Sequence, residues 1–253
     1  MTLTWIVLAT IAGGALSVCA AAFALVLRAA WVPMLVSFAI GTLLGAAFLE
    51  VIPHAFEQGE PHRTAAAILG GILGFFLLEK LLLWRHSHEH GEEAGLLHHH
   101  EHSRAGILIV VGDTVHNFVD GVLIAAAFLQ SPALGLVTAI AIVAHEIPQE
   151  VGDFLVLLHS GYSRGKAFAL NILSSLGSVA GGVLGYFTLQ GFEDWEPILL
   201  GVVAASMIYV AVADLIPGLH KRPELRATAQ QGLLIAAGVA AIVLVRALSG
   251  AAH

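Results

Sequence analysis

The chain has 253 residues, 58% of them hydrophobic and 11% charged, and a net charge of −7 at pH 7 with its histidines neutral. Soluble domains carry about 25% charged residues, so this composition excludes a water-soluble globule. The single cysteine, Cys19, excludes an intramolecular disulfide framework, and no nucleic-acid partner is expected.

Apolar runs recur at the roughly 20-residue length that a helix needs to cross a ~30 Å hydrocarbon core. Eight can be marked, at about 4–27, 33–56, 65–84, 105–129, 133–158, 165–190, 197–219 and 228–249. The fold class is therefore all-α: a polytopic membrane protein forming one transmembrane domain over residues 1–253. The first run contains "LSVC" (16–19), but "MTLTWIVLAT" lacks a positive n-region and Val18 stands where a small residue is needed, so cleavage before Cys19 is not expected.

Basic residues assign the sides. Arg28 lies in the first connection, Lys80, Arg85 and Arg104 flank the third, Arg164 and Lys166 lie in the fifth, and Lys221, Arg222 and Arg226 in the seventh. These are nine of the eleven lysines and arginines; Arg63 and Arg246 lie on the other side, with Glu57, Glu60, Glu193, Asp194 and Glu196. The positive-inside rule places connections one, three, five and seven in the cytosol and both termini outside.

Segment two ends in "EVIPHAF" (50–56) and segment seven in "DLIPGLH" (214–220). Each has an acid, two apolar residues and a proline, followed by a histidine. The two segments run in opposite directions, as an inverted repeat would place them, with segments 1–3 and 6–8 as counterparts. Glu50, His54, Asp214 and His220 are candidate gate residues, with capping as the equal alternative. Between segments three and four, "RHSHEHGEEAGLLHHHEHSR" (85–104) holds seven of the fourteen histidines and four glutamates, and reads as a flexible cytosolic metal reservoir or sensor.

Segments four and five form a hairpin around "QSP" (130–132), and each carries a polar island: "HNFVDG" (116–121), with Asp113 just upstream, and "HEIPQEVGD" (145–153). His116 lies 15 residues before Ser131 and His145 lies 14 after it. At about 1.5 Å per residue the islands meet near mid-membrane, on the order of 16–27 Å from the turn. Residues four apart share a helical face. His116 therefore aligns with Asp120, with Asn117 one step round, and His145 aligns with Gln149 beside a stripe of Glu146 and Glu150. Facing helices would offer imidazole nitrogen and carboxylate oxygen, donors suited to zinc and neighbouring divalent metals.

An acid at the centre of a membrane helix costs roughly 2.5–3.5 kcal/mol on insertion scales. Neither island contains lysine or arginine to neutralise its carboxylates, so visiting cations are the simplest compensation. Pro148 removes a helix donor and frees the Ala144 carbonyl beside His145. Asp113 and Asp153 are placed either on the inner half of a pathway or near the headgroups. Asn171, Ser174 and Ser178 form a polar stripe on segment six, read chiefly as helix packing. The glycines of "GTLLG" (41–45) and "GGILG" (70–74), and those at 177, 181 and 185, read as close-packing surfaces.

At the islands the sequence resembles the ZIP family of divalent-metal transporters. "HNFVDG" is similar to the family's fourth-helix motif and "HEIPQEVGD" to its fifth, in the branch typified by "HExPHExGD". The likeness extends to the eight segments, the outside termini and the histidine-rich loop. It implies a binuclear site, with one metal position at His116, Asp120, His145 and Gln149. The second would use Asn117, Asp120 and Glu146, with Glu150 as a further candidate. It also implies a 3+2+3 helix arrangement, a homodimer, and metal carried towards the cytosol; the cell (inner) membrane is the expected location. Metal is then cargo rather than cofactor. Gln149 departs from the branch pattern, where histidine or glutamate stands; its neutral amide leaves iron, manganese or cadmium beside zinc.

Other functions fit less well. "HEIPQ" is one residue from H-E-x-x-H, but a zinc protease needs the second histidine that Gln149 replaces. His116 and Asp120 also read H-x-x-x-D, as in cation-diffusion exporters, whose six segments and terminal metal domain are not found here. A metal sensor or scaffold that transports nothing is the remaining alternative.

Overall fold

The computed structural model describes residues 1–23, 31–88, 98–191, 195–220 and 224–250; along 82–88 and 98–109, and at 159, 196, 249 and 250, it describes the backbone alone. Among the described residues the secondary structure is helical, with no strand. Among these residues, eight helices are long and apolar enough to cross a membrane. In chain order they are α1 Thr2–Phe23, α2 Val32–Gln58, α3 Pro61–His88, α4 His98–Gln130, α5 Pro132–His159, α6 Arg164–Leu189, α7 Pro197–Leu219 and α8 Leu225–Gly250. Each matches one of the eight apolar segments. Helical backbone enters the histidine-rich stretch from both ends, reaching His88 in α3 and starting at His98 in α4; residues 89–97 lie outside the described residues.

Two helices depart from regular α geometry at the repeated sequence. α2 contains a π turn at Ala47–Val51, carrying Glu50, and α7 one at Val210–Leu215, carrying Asp214. Each turn precedes a proline, Pro53 or Pro217, whose missing N–H already interrupts the regular ladder. The echo in sequence is thus an echo in backbone conformation.

The packing follows the same exchange. α4 packs most extensively on α6, and α1 on α5; α2 packs on α8, and α3 on α7. Swapping first with sixth, second with seventh, third with eighth and fourth with fifth converts each of these pairs into another on the same short roll. α2 also meets α5, which joins the two groups of helices.

Small residues make these crossings close. A Cβ on Gly121 would lie 2.0 Å from the Ser178 carbonyl oxygen, and one on Gly181 1.9 Å from that of Phe118, so α4 and α6 touch backbone to backbone. Gly41 and Gly238 do the same for α2 and α8: their added Cβ atoms would lie 2.1 Å from Ile235 O and 2.3 Å from Phe38 O. On α1, Ile6, Thr10, Gly13, Ser17 and Ala21 recur at helical spacing as one buried face. Thr10 and Ser17 donate their hydroxyls to Ile6 O and Gly13 O at 3.0 and 2.9 Å, so neither group is left unpaired in an apolar setting.

The α4–α5 hairpin turns in a single residue. Ser131 caps α5, its hydroxyl oxygen accepting from Leu134 N at 3.1 Å, and Pro132 follows at the position where a missing N–H does no harm. Gly135 leaves room for the Phe128 ring, which an added Cβ would meet at 2.2 Å. From this turn inward, Leu123, Ile124, Ala127, Phe128, Leu134, Val137 and Ile142 join residues of α2 and α7 in one apolar core. That core fills the Ser131 end of the hairpin. The polar islands lie beyond it, and the site below is built there.

Candidate metal site

α5 continues as helix through Pro148, which lies between Glu146 and Gln149 in sequence. This continuity keeps the i, i+4 spacing of the second island facing α4. His116 Nε2 lies 3.2 Å from His145 Nε2, 3.6 Å from Asp120 Oδ2 and 3.6 Å from Glu146 Oε1. His145 Nε2 lies 3.2 Å from Asp120 Oδ2 and 3.7 Å from Glu146 Oε1. One ligand atom from each of the four residues falls within 4.8 Å of all the others.

These spacings can be compared with an ion. Four donors held about 2.0–2.1 Å from zinc stand about 3.3–3.4 Å apart in a tetrahedron. The five separations above, 3.2 to 3.7 Å, straddle that range. Asp120 Oδ2 and Glu146 Oε1 are buried without a hydrogen-bond partner. The ion-pair contacts of Asp120 and Glu146 among the described residues are with the two histidines, and none is with lysine or arginine. Two imidazoles and two uncompensated carboxylates converging on one point form a donor set for a divalent cation. Asp120, His145 and Glu146 are buried, whereas the His116 side chain is 28% exposed and is the open edge of the site.

The remaining expected residues lie one turn away. Asn117 donates its amide to Asp113 Oδ1 at 3.1 Å, and Gln149 donates to the same oxygen at 3.3 Å from the opposite helix. Glu150 is completely buried, and neither of its carboxylate oxygens has a hydrogen-bond partner. Asp113 is buried as well, at 6% exposure. On α6, Asn171 donates to the Glu150 backbone oxygen at 3.1 Å, Ser174 contacts both Asn171 O and the Asp113 carboxylate, and Ser178 turns its hydroxyl onto its own helix. The stripe thus reaches both site helices, through Asn171 to α5 and Ser174 to α4.

The gate candidates separate. Glu50 pairs with Arg246 of α8 at 3.0 Å, a contact invisible in sequence because nothing there shows that α2 and α8 are neighbours. Tyr209 donates its hydroxyl to Glu79 of α3, and its ring stacks on Phe75. His54 contacts Gln58 at 3.0 Å on an exposed surface. Outside the membrane spans, Glu60 accepts from the N–H groups of His62 and Arg63 at 3.1 and 2.8 Å, capping α3. Those bonds hold its carboxyl below the usual range.

Fold and site together define a class: a polytopic membrane protein with a buried cation-ligating centre between its fourth and fifth spans. Comparison with known proteins places it more closely. A family model described as "ZIP Zinc transporter" matches residues 2–103 and 83–246. The chain is 33% identical over 231 residues to "Zinc transporter ZIP13" of Pongo abelii, covering 85% of this chain and 67% of that protein. It is 32% identical over 248 residues to "Zinc transporter ZIP4" of Mus musculus, covering 72% and 37%. It is 30% identical over 209 residues to "Zinc transporter YKE4" of Saccharomyces cerevisiae, covering 73% and 60%. The chain belongs to the ZIP zinc transporter family. It is a divalent-metal transporter and not an enzyme.

Proposed function

We propose that this chain carries zinc, with iron, manganese or cadmium as secondary cargo, from outside the cell membrane to the cytosol. His116, Asp120, His145 and Glu146 are the primary ligands. Asn117, Gln149 and Glu150 extend the site to a second metal position, with Asp120 and Glu146 shared between the two. The observation that carries this reading is the convergence of four donor atoms within 4.8 Å at a buried point where no lysine or arginine neutralises the acids.

The orientation, with both termini outside, rests on nine of eleven basic residues lying in alternate connections. The matching π turns and the exchange-symmetric packing support a 3+2+3 inverted repeat. Alternating access would follow from movement of one group of helices against the other. The apolar core lies at the Ser131 end of the hairpin, and the His116 side chain is 28% exposed. The names of the relatives favour zinc; a homodimer is the assembly expected from the family. The seven histidines of 85–104 would collect metal at the cytosolic face.

Metal flux into sealed proteoliposomes, read with a metal-sensitive dye across a panel of divalent cations, tests the reading. Saturable zinc entry that disappears in Asp120→Ala is expected. Zinc movement equal to that of protein-free vesicles would leave only a metal-binding membrane protein.

A further inference from the structure

We propose that Arg246 is a tethered competitor for the metal: it occupies Glu50 near the outer end of α2, and an arriving divalent ion must displace it to reach the histidine site. This rests on the reading that metal enters from the side of the chain termini. α2 and α8 run parallel and in step. Gly41 lies against Gly238 and Gly45 against Ile242, and one turn further along Arg246 Nη1 donates to Leu49 O at 3.4 Å. The same guanidinium brings its Nε within 3.0 Å of Glu50 Oε1. Both targets lie in the π turn Ala47–Val51. In a regular α-helix Leu49 O would accept from the N–H of residue 53, but that residue is Pro53 and has none. Arg246 thus clamps the turn through its backbone and through its acid.

The clamp is one that a cation can open. Arg246 lies two residues before Leu248, where the α8 span ends, so its head group is within reach of water. Its side chain is 64% exposed and that of Glu50 16%, and ion pairs so open to solvent are weak. Glu50 Oε1 is buried yet accepts no aligned hydrogen bond, so its contact with Nε is one of charge alone. A divalent ion brings twice the charge of a guanidinium and binds carboxylate oxygen directly. His54 stands one turn outward of Glu50 and acts on it electrostatically, the same acid-and-imidazole pairing that His116 and Asp120 make at the central site. The matching turn of α7 shows what the arginine adds. Asp214 occupies it, and the ionisable groups acting on Asp214 are Glu79, His116 and His145, with no lysine or arginine among them. One of the two repeated acids is therefore open to a visiting cation, and the other is already held by a cation of the chain itself.

The test is zinc uptake by proteoliposomes of the full chain, with KM and maximal rate separated, in a double-mutant cycle. Arg246→Gln should lower KM about two- to fivefold, the span of an exposed ion pair, and leave the maximal rate alone. Arg246→Lys, which keeps the charge, should shift KM less than Arg246→Gln does. Glu50→Gln should raise KM, and adding Arg246→Gln to it should change nothing further, because the arginine then has no acid to occupy. An equal fall in KM with and without Glu50 would overturn the competition and leave only repulsion at the mouth. An unchanged or higher KM in Arg246→Gln would make the arginine a structural clamp and overturn it too. So would failure of both Arg246→Gln and Arg246→Ala to fold, read from their size-exclusion profiles. No saturable zinc entry by the unsubstituted protein would sink the transport reading itself and the competitor with it; every other outcome leaves that reading standing.

Discussion

The Nε2 atoms of His116 and His145 lie 3.2 Å apart, on different helices and 29 positions apart in sequence. Their rings meet edge to face, at 82° with centroids 5.5 Å apart. Both nitrogens also lie within 3.7 Å of the same two carboxylate oxygens. Neutral imidazole offers one donor and one acceptor nitrogen, so a direct bond uses one ring as donor. A divalent ion between them uses both lone pairs and both acids at once.

Replacing either histidine by alanine should therefore disable transport without unfolding the protein. Loss of even an outer-shell partner of a metal ligand costs about 10–100-fold in affinity or activity, so His116→Ala and His145→Ala should each lower zinc uptake at least tenfold. Uptake in proteoliposomes, beside an unchanged size-exclusion profile, measures this. Near-normal uptake in both would mean that the ring contact is only packing.

Charge removal should act in the opposite sense on stability. In metal-free protein, Asp120 and Glu146 are buried acids without cationic partners other than the histidines. Glu146→Gln should then stabilise the protein by roughly 1–3 kcal/mol in the presence of chelator. The unsubstituted protein should gain about 2.7 kcal/mol from zinc at one hundred times its Kd, and the variant should lose most of that gain. Thermal unfolding in detergent, with and without chelator, gives both quantities. A variant less stable than its parent without metal would show that the carboxylate serves a structural network.

Much of this was legible from the chain itself, for definite reasons. Span number follows from apolar length, and the depth of His116 and His145 follows from counting residues to Ser131, because a tight hairpin fixes the register of its two helices. That Asp120 meets His145 was implied by the family resemblance and not by this count. The contacts with α6, α8 and α3 do not follow from it. Arg246 stood as an exception to the positive-inside pattern, and only the α2–α8 packing shows it beside Glu50. Likewise, spacing aligned Gln149 with His145, but periodicity alone could not tell that its amide would be taken by Asp113 across the helix pair. The π turns at Glu50 and Asp214 were visible only as a repeated acid and proline, since proline marks a disturbed ladder without saying which form it takes.

Gln149 offers a handle on selectivity. Its amide is occupied by Asp113, and it brings no nitrogen ligand to the site. Gln149→His adds an imidazole one turn from His145, which favours zinc over the harder manganese. The ratio of zinc to manganese uptake should rise about tenfold, equivalent to about 1.4 kcal/mol of discrimination. Competition between the two metals for one transport pathway reads this ratio directly; an unchanged ratio would place residue 149 outside the coordination sphere.

The α4–α6 crossing gives a prediction independent of metal. A methyl group on Gly121 or Gly181 would sit 2.0 or 1.9 Å from a backbone oxygen of the facing helix, where no side chain can swing aside. The helices must separate, and α4 carries His116 and Asp120. Overpacking of this kind costs about 1–3 kcal/mol or more, so Gly121→Ala and Gly181→Ala should lower the unfolding temperature and reduce uptake together. Gly74 of α3 is the control: an added Cβ there meets nothing within 4 Å, and alanine is the better helix former by about 1 kcal/mol. Gly74→Ala should leave uptake unchanged and match or exceed the parent in stability. If all three variants melted alike, the close approach of α4 and α6 would not be what holds the first island in place.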